Sequence, residues 1–153
     1  MSIEIARAHL RGLGMEDRIR ELEQSSATVE LAAAAIGCEP GMIAKTLAFQ
    51  QKDGPVLVLA AGDVRVDNKK YKAVFQEKAK MIPWDDVEEQ IGHAPGGVCP
   101  FGVKPEVRVF LDESLKKYNV VYPAAGTDHS MAEMNLEELE RCSGSLGWVL
   151  ISK

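Results

Sequence analysis

The sequence lacks the long apolar runs and the leader pattern that mark membrane-spanning and exported chains. No stretch approaches the roughly 18 consecutive apolar residues that a transmembrane helix needs. The first fourteen residues carry scattered charges and have no apolar core of the kind found in signal peptides. We therefore expect a cytoplasmic protein that makes no use of a membrane.

Cysteine is scarce and unpaired in its spacing. The three cysteines, Cys38, Cys99 and Cys142, are odd in number and far apart along the chain. Such a pattern predicts neither a disulfide framework nor a CxxC metal or redox pair. It fits a reducing compartment, in agreement with the cytoplasmic expectation.

Metal-ligand patterns are missing as well. The sequence holds three histidines, and none has a second ligand at the spacing of a zinc site. There is no HxxxH pair and no Cys/His set. We expect neither a metal nor another cofactor.

Positive charge is also in short supply, since the formal net charge is −5. Nonspecific nucleic-acid affinity depends on neutralising phosphates, so this charge argues against a broad nucleic-acid-coating surface. It leaves room for a small footprint built from a few local cations. The one cluster of basic residues is formed by five lysines, Lys69, Lys70, Lys72, Lys78 and Lys80. It is either a solvated helix face or a site that contacts phosphates.

What the sequence does contain is an ordinary globular balance, with 46% hydrophobic and 27% charged residues over 153 positions. This length suits a single domain covering residues 1–153. About seven short strands and about five helices are predicted, without a strict βαβ rhythm. The pattern favours an α/β fold with a mixed, partly antiparallel sheet and peripheral helices. Residues 18–23 fit either a helix or a strand.

The centre of the predicted sheet is a hairpin. Pro55–Ala61 is a nearly continuous apolar run, which is typical of a strand buried on both faces. A turn signal at residues 52–54 precedes it, and Ile43–Gln50 forms the partner strand. That partner strand carries Lys45 in an otherwise apolar setting.

Two helices flank this hairpin in the sequence. Thr28 is predicted to cap a helix over Val29–Ile36. A further helix is predicted over Asp85–Ile91, with Trp84 and Val87 on the stripe that faces the core.

Lys45 and its neighbour Thr46 are the first candidates for a site. One interpretation is that Lys45 contacts a phosphate or carboxylate in a cleft. The other is that its stem covers apolar surface while its ammonium group reaches water. The pattern leaves both interpretations open.

Two glycine-containing loops are the next candidates. Residues 93–102 contain three glycines and two prolines, and residues 126–130 read Gly-Thr-Asp-His-Ser. Loops without bulky side chains allow a ligand to approach the backbone closely. Ordinary turns are the alternative, because neither loop matches a P-loop or a dinucleotide fingerprint.

The sequence offers no clear nucleophile. Asp128, His129 and Ser130 are neighbours in one loop and cannot form a catalytic triad with one another, because triad members meet through the fold. Cys99 lies in the first glycine loop, but no base is indicated for it.

Several segments in a fixed order resemble the YbaK family, which includes the prolyl-tRNA synthetase editing domain and free-standing trans-editing proteins. The likeness covers roughly residues 15 to 140 and is carried by five segments. They are Thr28 to Gly37, Ile43 to Leu47, Leu57 to Lys70, Gly96 to Gly102, and Ala125-Gly126.

The resemblance implies a barrel-like mixed sheet and a cleft for the aminoacylated 3′ end of a tRNA. The family lysine matched by Lys45 contacts the terminal nucleotide, and the glycine matched by Gly126 opens a loop whose backbone positions the ester and the 2′-hydroxyl. Lys45 and Gly126 are therefore assigned catalytic roles. The positions assigned to substrate binding are Thr46, Gly97, Val98, Thr127, Asp128, His129 and Ser130.

The activity so implied is trans-editing deacylation, in which water and the substrate's 2′-hydroxyl hydrolyse the ester of mischarged tRNA. The expected substrate is tRNA-Pro carrying a small non-cognate amino acid. The alternatives are a non-catalytic module that binds aminoacyl-tRNA or a nucleotide, and an unrelated small-molecule hydrolase. The need for a prolyl-tRNA synthetase partner and the oligomeric state stay open.

One departure from the family concerns the second loop. The family loop often reads Gly-x-x-x-Pro, whereas Ser130 occupies the fifth position here. Without the fixed φ of proline we expect a less rigid loop or a more polar pocket. Amino-acid selection depends on such pocket contacts, and we expect His129 to influence it.

Overall fold

A curled, half-barrel sheet of six strands organises the computed structural model, which describes residues 2–153. The described residues form eight strands, six in this sheet and two in a separate pair. They are β1 Ile19–Glu21, β2 Ile43–Gln51, β3 Gly54–Ala61, β4 Arg108–Asp112, β5 Val120–Pro123, β6 Ser130–Ala132, β7 Met134–Asn135 and β8 Trp148–Val149. The large sheet has the order β7-β5-β2-β3-β4-β8, and β1 pairs with β6 separately. The predicted mixed, barrel-like α/β fold is confirmed.

The central hairpin forms as predicted. β2 and β3 are antiparallel, with Lys45 opposite Ala60 and Gln51 opposite Gly54 at the turn. β5 joins the free edge of β2 in parallel, and β4 joins β3 in parallel. The sheet therefore mixes both pairings around one long hairpin.

Alternation along β3 explains its apolar sequence. Leu57 and Leu59 belong to one hydrophobic cluster, while Val56 and Val58 belong to another on the opposite face. All four side chains are fully buried. Successive residues of a strand point to opposite faces, so a strand covered on both sides must be apolar throughout.

Five α-helices lie around the sheet in the described residues, and none is long and apolar enough to cross a membrane. They are α1 Ser2–Arg11, α2 Val29–Ile36, α3 Asn68–Phe75, α4 Val87–Ile91 and α5 Leu136–Ser143. The predicted cap of α2 is confirmed, since Thr28 Oγ1 accepts a hydrogen bond from the Leu31 backbone N–H.

The chain around residues 16–21 resolves the open choice between helix and strand. A 3₁₀ turn over Glu16–Arg18 leads into β1, which pairs with β6. Two short strands, not one, cover residues 130–135, because β6 pairs with β1 and β7 pairs with β5. At Glu133, between them, the backbone N–H donates to the Arg18 carbonyl.

The position of Trp84 corrects another expectation. The α-helix begins only at Val87, and a 3₁₀ turn over Trp84–Asp86 precedes it. Val87 and Ile91 are buried as predicted, but Trp84 is 71% exposed. The apolar stripe starts one turn later than the sequence suggested, so Trp84 lies ahead of the helix instead of on its inner face.

Candidate active site

A cleft of about 300 Å³ lies between β2 and the segments packed around it. Residues 26–29 at the start of α2 form one side, and Met81, Trp84 and Val87 border another. The first glycine loop completes the wall, together with Ala124 and Met131, which flank the second glycine loop. Among the predicted site residues, Lys45, Thr46 and Val98 line this cleft.

Lys45 is held in the cleft wall at both ends of its side chain. The antiparallel ladder fixes its backbone opposite Ala60, and its Nζ donates hydrogen bonds to the carbonyls of Val64 and Gly62. An ammonium group has three N–H donors, so one is left for a ligand. The side chain is therefore part of the cleft wall, and a contact between its remaining N–H and a ligand stays a prediction.

Burial governs the electrostatics of this lysine. Removal from water lowers the pKa of Lys45 from its ordinary value, while Asp63 opposes this effect and Arg65 adds to it. A partly desolvated ammonium group interacts with a polar ligand more strongly than one in bulk water. The site is suited to an anion or to an oxygen that acquires negative charge.

Two hydroxyl groups in the cleft wall are unsatisfied. Ser26 Oγ and Thr46 Oγ1 are buried and have no hydrogen-bond partner within residues 2–153. Leaving such a group unpaired costs about 1–3 kcal/mol, so it calls for a physical reason. A ligand with hydroxyl or carbonyl groups would supply the missing partners. Sequence reasoning selected Thr46 and missed Ser26, whose only signal is its place just before the cap of α2.

The two glycine loops pack directly against each other. A methyl group added at Gly97 would lie 2.3 Å from the Gly126 carbonyl oxygen and 2.5 Å from the Thr127 nitrogen. Gly126 has a φ of 99°, which side chains rarely adopt. Both glycines are buried and lie outside the residues that line the cavity. The structure brings them together, but behind the cleft surface formed by Gly96 and Val98.

The second loop is closed by the Ser130 hydroxyl. Ser130 is fully buried, and its Oγ donates to the Ala125 carbonyl at 3.2 Å and accepts from the Thr127 N–H at 3.2 Å. It also lies 2.6 Å from Thr127 Oγ1. These hydrogen bonds constrain the loop where the resemblance led us to expect proline. Ser130 and Thr127 thus serve the loop itself and lie outside the cleft lining.

Asp128 and His129 contribute through their backbones. Their side chains are 56% and 52% exposed, lie 2.9 Å apart, and are outside the cleft lining. The Asp128 carbonyl accepts from Ser26 N, and the His129 carbonyl accepts from Leu22 N at 2.7 Å. The loop is thereby joined to the segment that carries Ser26, while the imidazole faces solvent.

Cys99 lies beneath the first loop in a sealed environment. It is fully buried, and burial raises the pKa of its thiol to about 12. The backbone of Gly126 hydrogen-bonds its sulfur, and His93 Nε2 lies 3.5 Å away while donating to the Phe101 carbonyl. Burial also lowers the pKa of His93. A protonated thiol without solvent access is not a nucleophile, so Cys99 joins the loops together instead.

No cluster of three or more histidine, cysteine or acidic side chains could hold a metal ion in the part of the chain that the structure describes. The residues that line the cleft likewise include no carboxylate, imidazole or thiol. The wall offers one ammonium group, a few hydroxyls and backbone. Its chemistry is that of orienting and polarising a ligand.

This arrangement defines an α/β domain with a small cleft between a lysine-bearing strand and paired glycine loops. Residues 23–142 match the model of the aminoacyl-tRNA editing domain, and the chain belongs to that family. The resemblance seen in the sequence is confirmed. The chain is accordingly an aminoacyl-tRNA deacylase, a hydrolase of the ester bond in mischarged aminoacyl-tRNA.

Three similar proteins, two sequence relatives and one solved structure, cover most of this chain. The chain is 43% identical to "Uncharacterized protein YwhH" of Bacillus subtilis, over 100% of this chain and 98% of the relative. It is 32% identical to the Enterococcus faecalis protein named "Putative Cys-tRNA(Pro)/Cys-tRNA(Cys) deacylase EbsC", over 73% and 70%. A crystal structure of "a putative trans-editing enzyme for prolyl tRNA synthetase" superposes with a TM-score of 0.90 and 29% identity, over 99% and 97%.

Proposed function

We propose that this deacylase acts in trans in the cytoplasm on tRNA-Pro that carries a small non-cognate amino acid. The descriptions of the two relatives that name tRNA-Pro or prolyl-tRNA synthetase support this choice of tRNA. The partner is then the 3′ acceptor end, with prolyl-tRNA synthetase as the source of the mischarged product.

The observation that carries the proposal is the cleft in which Lys45 and the hydroxyls of Ser26 and Thr46 lie together. Its volume of about 300 Å³ is at the lower limit of ordinary ligand pockets. A terminal ribose and its ester occupy part of that volume. Only a small side chain fits in the remainder, so the pocket excludes large amino acids by size.

Hydrolysis in this cleft needs no protein nucleophile. An aminoacyl ester is already activated, and the substrate's 2′-hydroxyl assists a water molecule in attacking the carbonyl carbon. The bond between this carbon and the ribose oxygen breaks, and the ribose oxygen takes up a proton. The products are the free amino acid and the tRNA with an intact 3′ end.

The protein's part is orientation and polarisation. Lys45 offers an N–H to the terminal nucleotide. The loop that begins at Gly126 packs behind Gly97 and so fixes the backbone of the first glycine loop, which faces the ester. Holding an activated ester and water in one geometry removes much of the entropic barrier. Fixed dipoles aimed at the developing oxyanion lower the barrier further.

The direct test is single-turnover deacylation of a panel of tRNAs, each charged with one amino acid, against a reaction without enzyme. We expect hydrolysis of tRNA-Pro carrying alanine, cysteine or another small residue, and no hydrolysis of correctly charged prolyl-tRNA. A chelator should leave these rates unchanged.

Each other outcome has a distinct meaning. Binding of tRNA without turnover would favour the non-catalytic module. Turnover of a different charged tRNA would retain the deacylase and replace the substrate. Neither binding nor turnover would contradict the proposal as a whole.

A further inference from the structure

Trp84 and Met81 form an exposed apolar surface at the edge of the cleft. Trp84 is 71% exposed and Met81 is 51% exposed, and both line the cavity. Tryptophan is mostly buried in folded proteins, so an indole left open beside a binding cleft suggests contact with a ligand. This apolar rim is not used by the chemistry described above.

The backbone beneath the rim is anchored. Ile82 N donates to the Ala48 carbonyl at 3.0 Å, and Gln50 N donates to the Lys80 carbonyl at 2.7 Å. Ala48 and Gln50 belong to β2, the strand that carries Lys45. Ile82 is buried in the hydrophobic cluster that also contains Leu57 and Leu59. The sheet therefore presents the rim at a defined position beside the cleft.

Charge along this segment is asymmetric. Lys78 and Lys80 are exposed and come just before the rim, whereas the exposed Asp85 and Asp86 follow it. An anionic backbone is attracted to the lysine side and repelled from the aspartate side. The rim thus fits a flat apolar group attached to a phosphate chain that leaves in one direction. A nucleobase at the end of an RNA strand has this chemistry.

We infer that Trp84, supported by Met81, is the stacking platform for the terminal nucleobase of the tRNA 3′ end. The preceding phosphates lie toward Lys78 and Lys80. Unpaired bases at RNA ends commonly stack on aromatic side chains. This inference rests on the proposed function, because it names how the same cleft holds its substrate, with the ribose and ester placed at Lys45.

The experiment is a double-mutant cycle on binding of an uncharged acceptor-stem hairpin RNA ending in CCA. The RNA partner is varied by replacing the terminal adenosine with an abasic residue, and the protein by Trp84→Ala. Base stacking predicts about a 5- to 150-fold loss of affinity for either change. Both changes together should weaken binding no more than either one alone.

Matched variants guard against structural artefacts. Trp148 donates to Glu140 and lies under Lys116, and it is not part of the cleft lining. Trp148→Phe should leave binding unchanged and makes Trp84 fluorescence the sole indole signal, which the CCA-ended RNA should quench. Trp84→Phe should recover most of the affinity that Trp84→Ala loses.

Independent, additive losses in the cycle would overturn the stacking assignment, as would a Trp84→Ala variant that binds both RNAs like the wild type. Deacylation by the wild type is measured in parallel. Normal turnover with no coupling in the cycle refutes the platform alone. Absence of turnover refutes the proposed function. The double-mutant cycle then still tests whether Trp84 contacts the terminal base of the RNA.

Discussion

The two walls of the cleft are held in place by different kinds of interaction. On one wall, β2 is fixed by an eight-residue antiparallel ladder with β3. On the other, the glycine loops have no ladder of that length and are held by separate contacts. Gly97 packs against Gly126, the Ser130 hydroxyl closes its own loop, and the Asp128 and His129 carbonyls accept backbone hydrogen bonds. The strand wall includes the polar side chains of Lys45 and Thr46, whereas the loop wall consists of Pro95, Gly96 and Val98, which bear no polar side-chain group.

Because of this difference, substitutions on the strand wall and on the loop wall should affect the protein in different ways. Replacing a side chain on the strand wall should remove a ligand contact and leave the fold intact, because ladder hydrogen bonds do not depend on side-chain identity. Replacing a residue in the loop wall should move backbone that the substrate needs. The two walls should therefore respond differently in stability and in activity.

The largest effect is expected on the strand wall. In the proposed mechanism, Lys45→Ala removes a charge-assisted contact shared by all substrates, worth roughly 1.5–3 kcal/mol, so deacylation should slow about ten- to a hundredfold or more. Desolvation of the ammonium group, which lowers the pKa of Lys45, opposes the stabilising hydrogen bonds from Nζ to the Gly62 and Val64 carbonyls, so the thermal midpoint should change little. Single-turnover rates and thermal unfolding measure the two quantities.

Lys45→Met preserves the stem and should behave like the alanine variant, and Lys52→Ala in the hairpin turn is the control for loss of a lysine charge. Full activity in Lys45→Met would show that deacylation does not need the ammonium group.

On the loop wall, Gly97→Ala should reduce stability and activity together. Its new methyl group would collide with the Gly126 carbonyl, and overpacking of this kind costs about 1–3 kcal/mol. Gly12→Ala is the matched control, since a methyl group there meets its nearest atom at 3.5 Å. Equal unfolding midpoints and rates for the two variants would show that the loops are not in contact.

A smaller effect is expected at Ser130. Ser130→Ala deletes the hydroxyl that closes the second loop and should cost roughly 1 kcal/mol of unfolding free energy, with a matching loss of activity. Ser143→Ala is a suitable comparison, because that buried serine donates one bond to the Glu140 carbonyl at the end of α5. Denaturant unfolding of both variants, together with their rates, decides the point. A stability loss without a rate change would separate the loop from catalysis.

The smallest effect is expected at His129. Its side chain is exposed and outside the cleft lining, so His129→Ala should change rates by no more than about twofold. The comparison needs two mischarged tRNAs. A strong change in preference between them would restore the selective role that the sequence suggested. A uniform loss with altered pH dependence would instead make His129 a general base.

The sequence predicted features that depend on local pattern. The β2–β3 hairpin and the Thr28 cap both follow from neighbouring residues and appear where expected. The resemblance added the family and brought forward Lys45.

Features that depend on distant segments were not predictable in this way. Trp84 is exposed because the helix begins at Val87, two residues later than predicted, and a 3₁₀ turn over Trp84–Asp86 precedes it. Periodicity alone does not fix where an apolar stripe starts. The burial of the Ser26 hydroxyl without a partner depends on segments that are distant in the sequence. So does the contact between Gly97 and Gly126. Only the assembled fold reveals which backbone groups are covered and which polar atoms lack partners.

In the proposed mechanism, the cleft orients the substrate while the substrate's own hydroxyl assists hydrolysis. The decisive measurement compares tRNA-Pro, charged with the amino acid removed fastest, carrying either a terminal 2′-deoxyadenosine or the normal adenosine. We expect single-turnover deacylation to slow about a hundredfold or more without the 2′-hydroxyl, the size expected for a positioned proton-transfer group. Equal rates for the two tRNAs would contradict it and would require a nucleophile or base supplied by the protein.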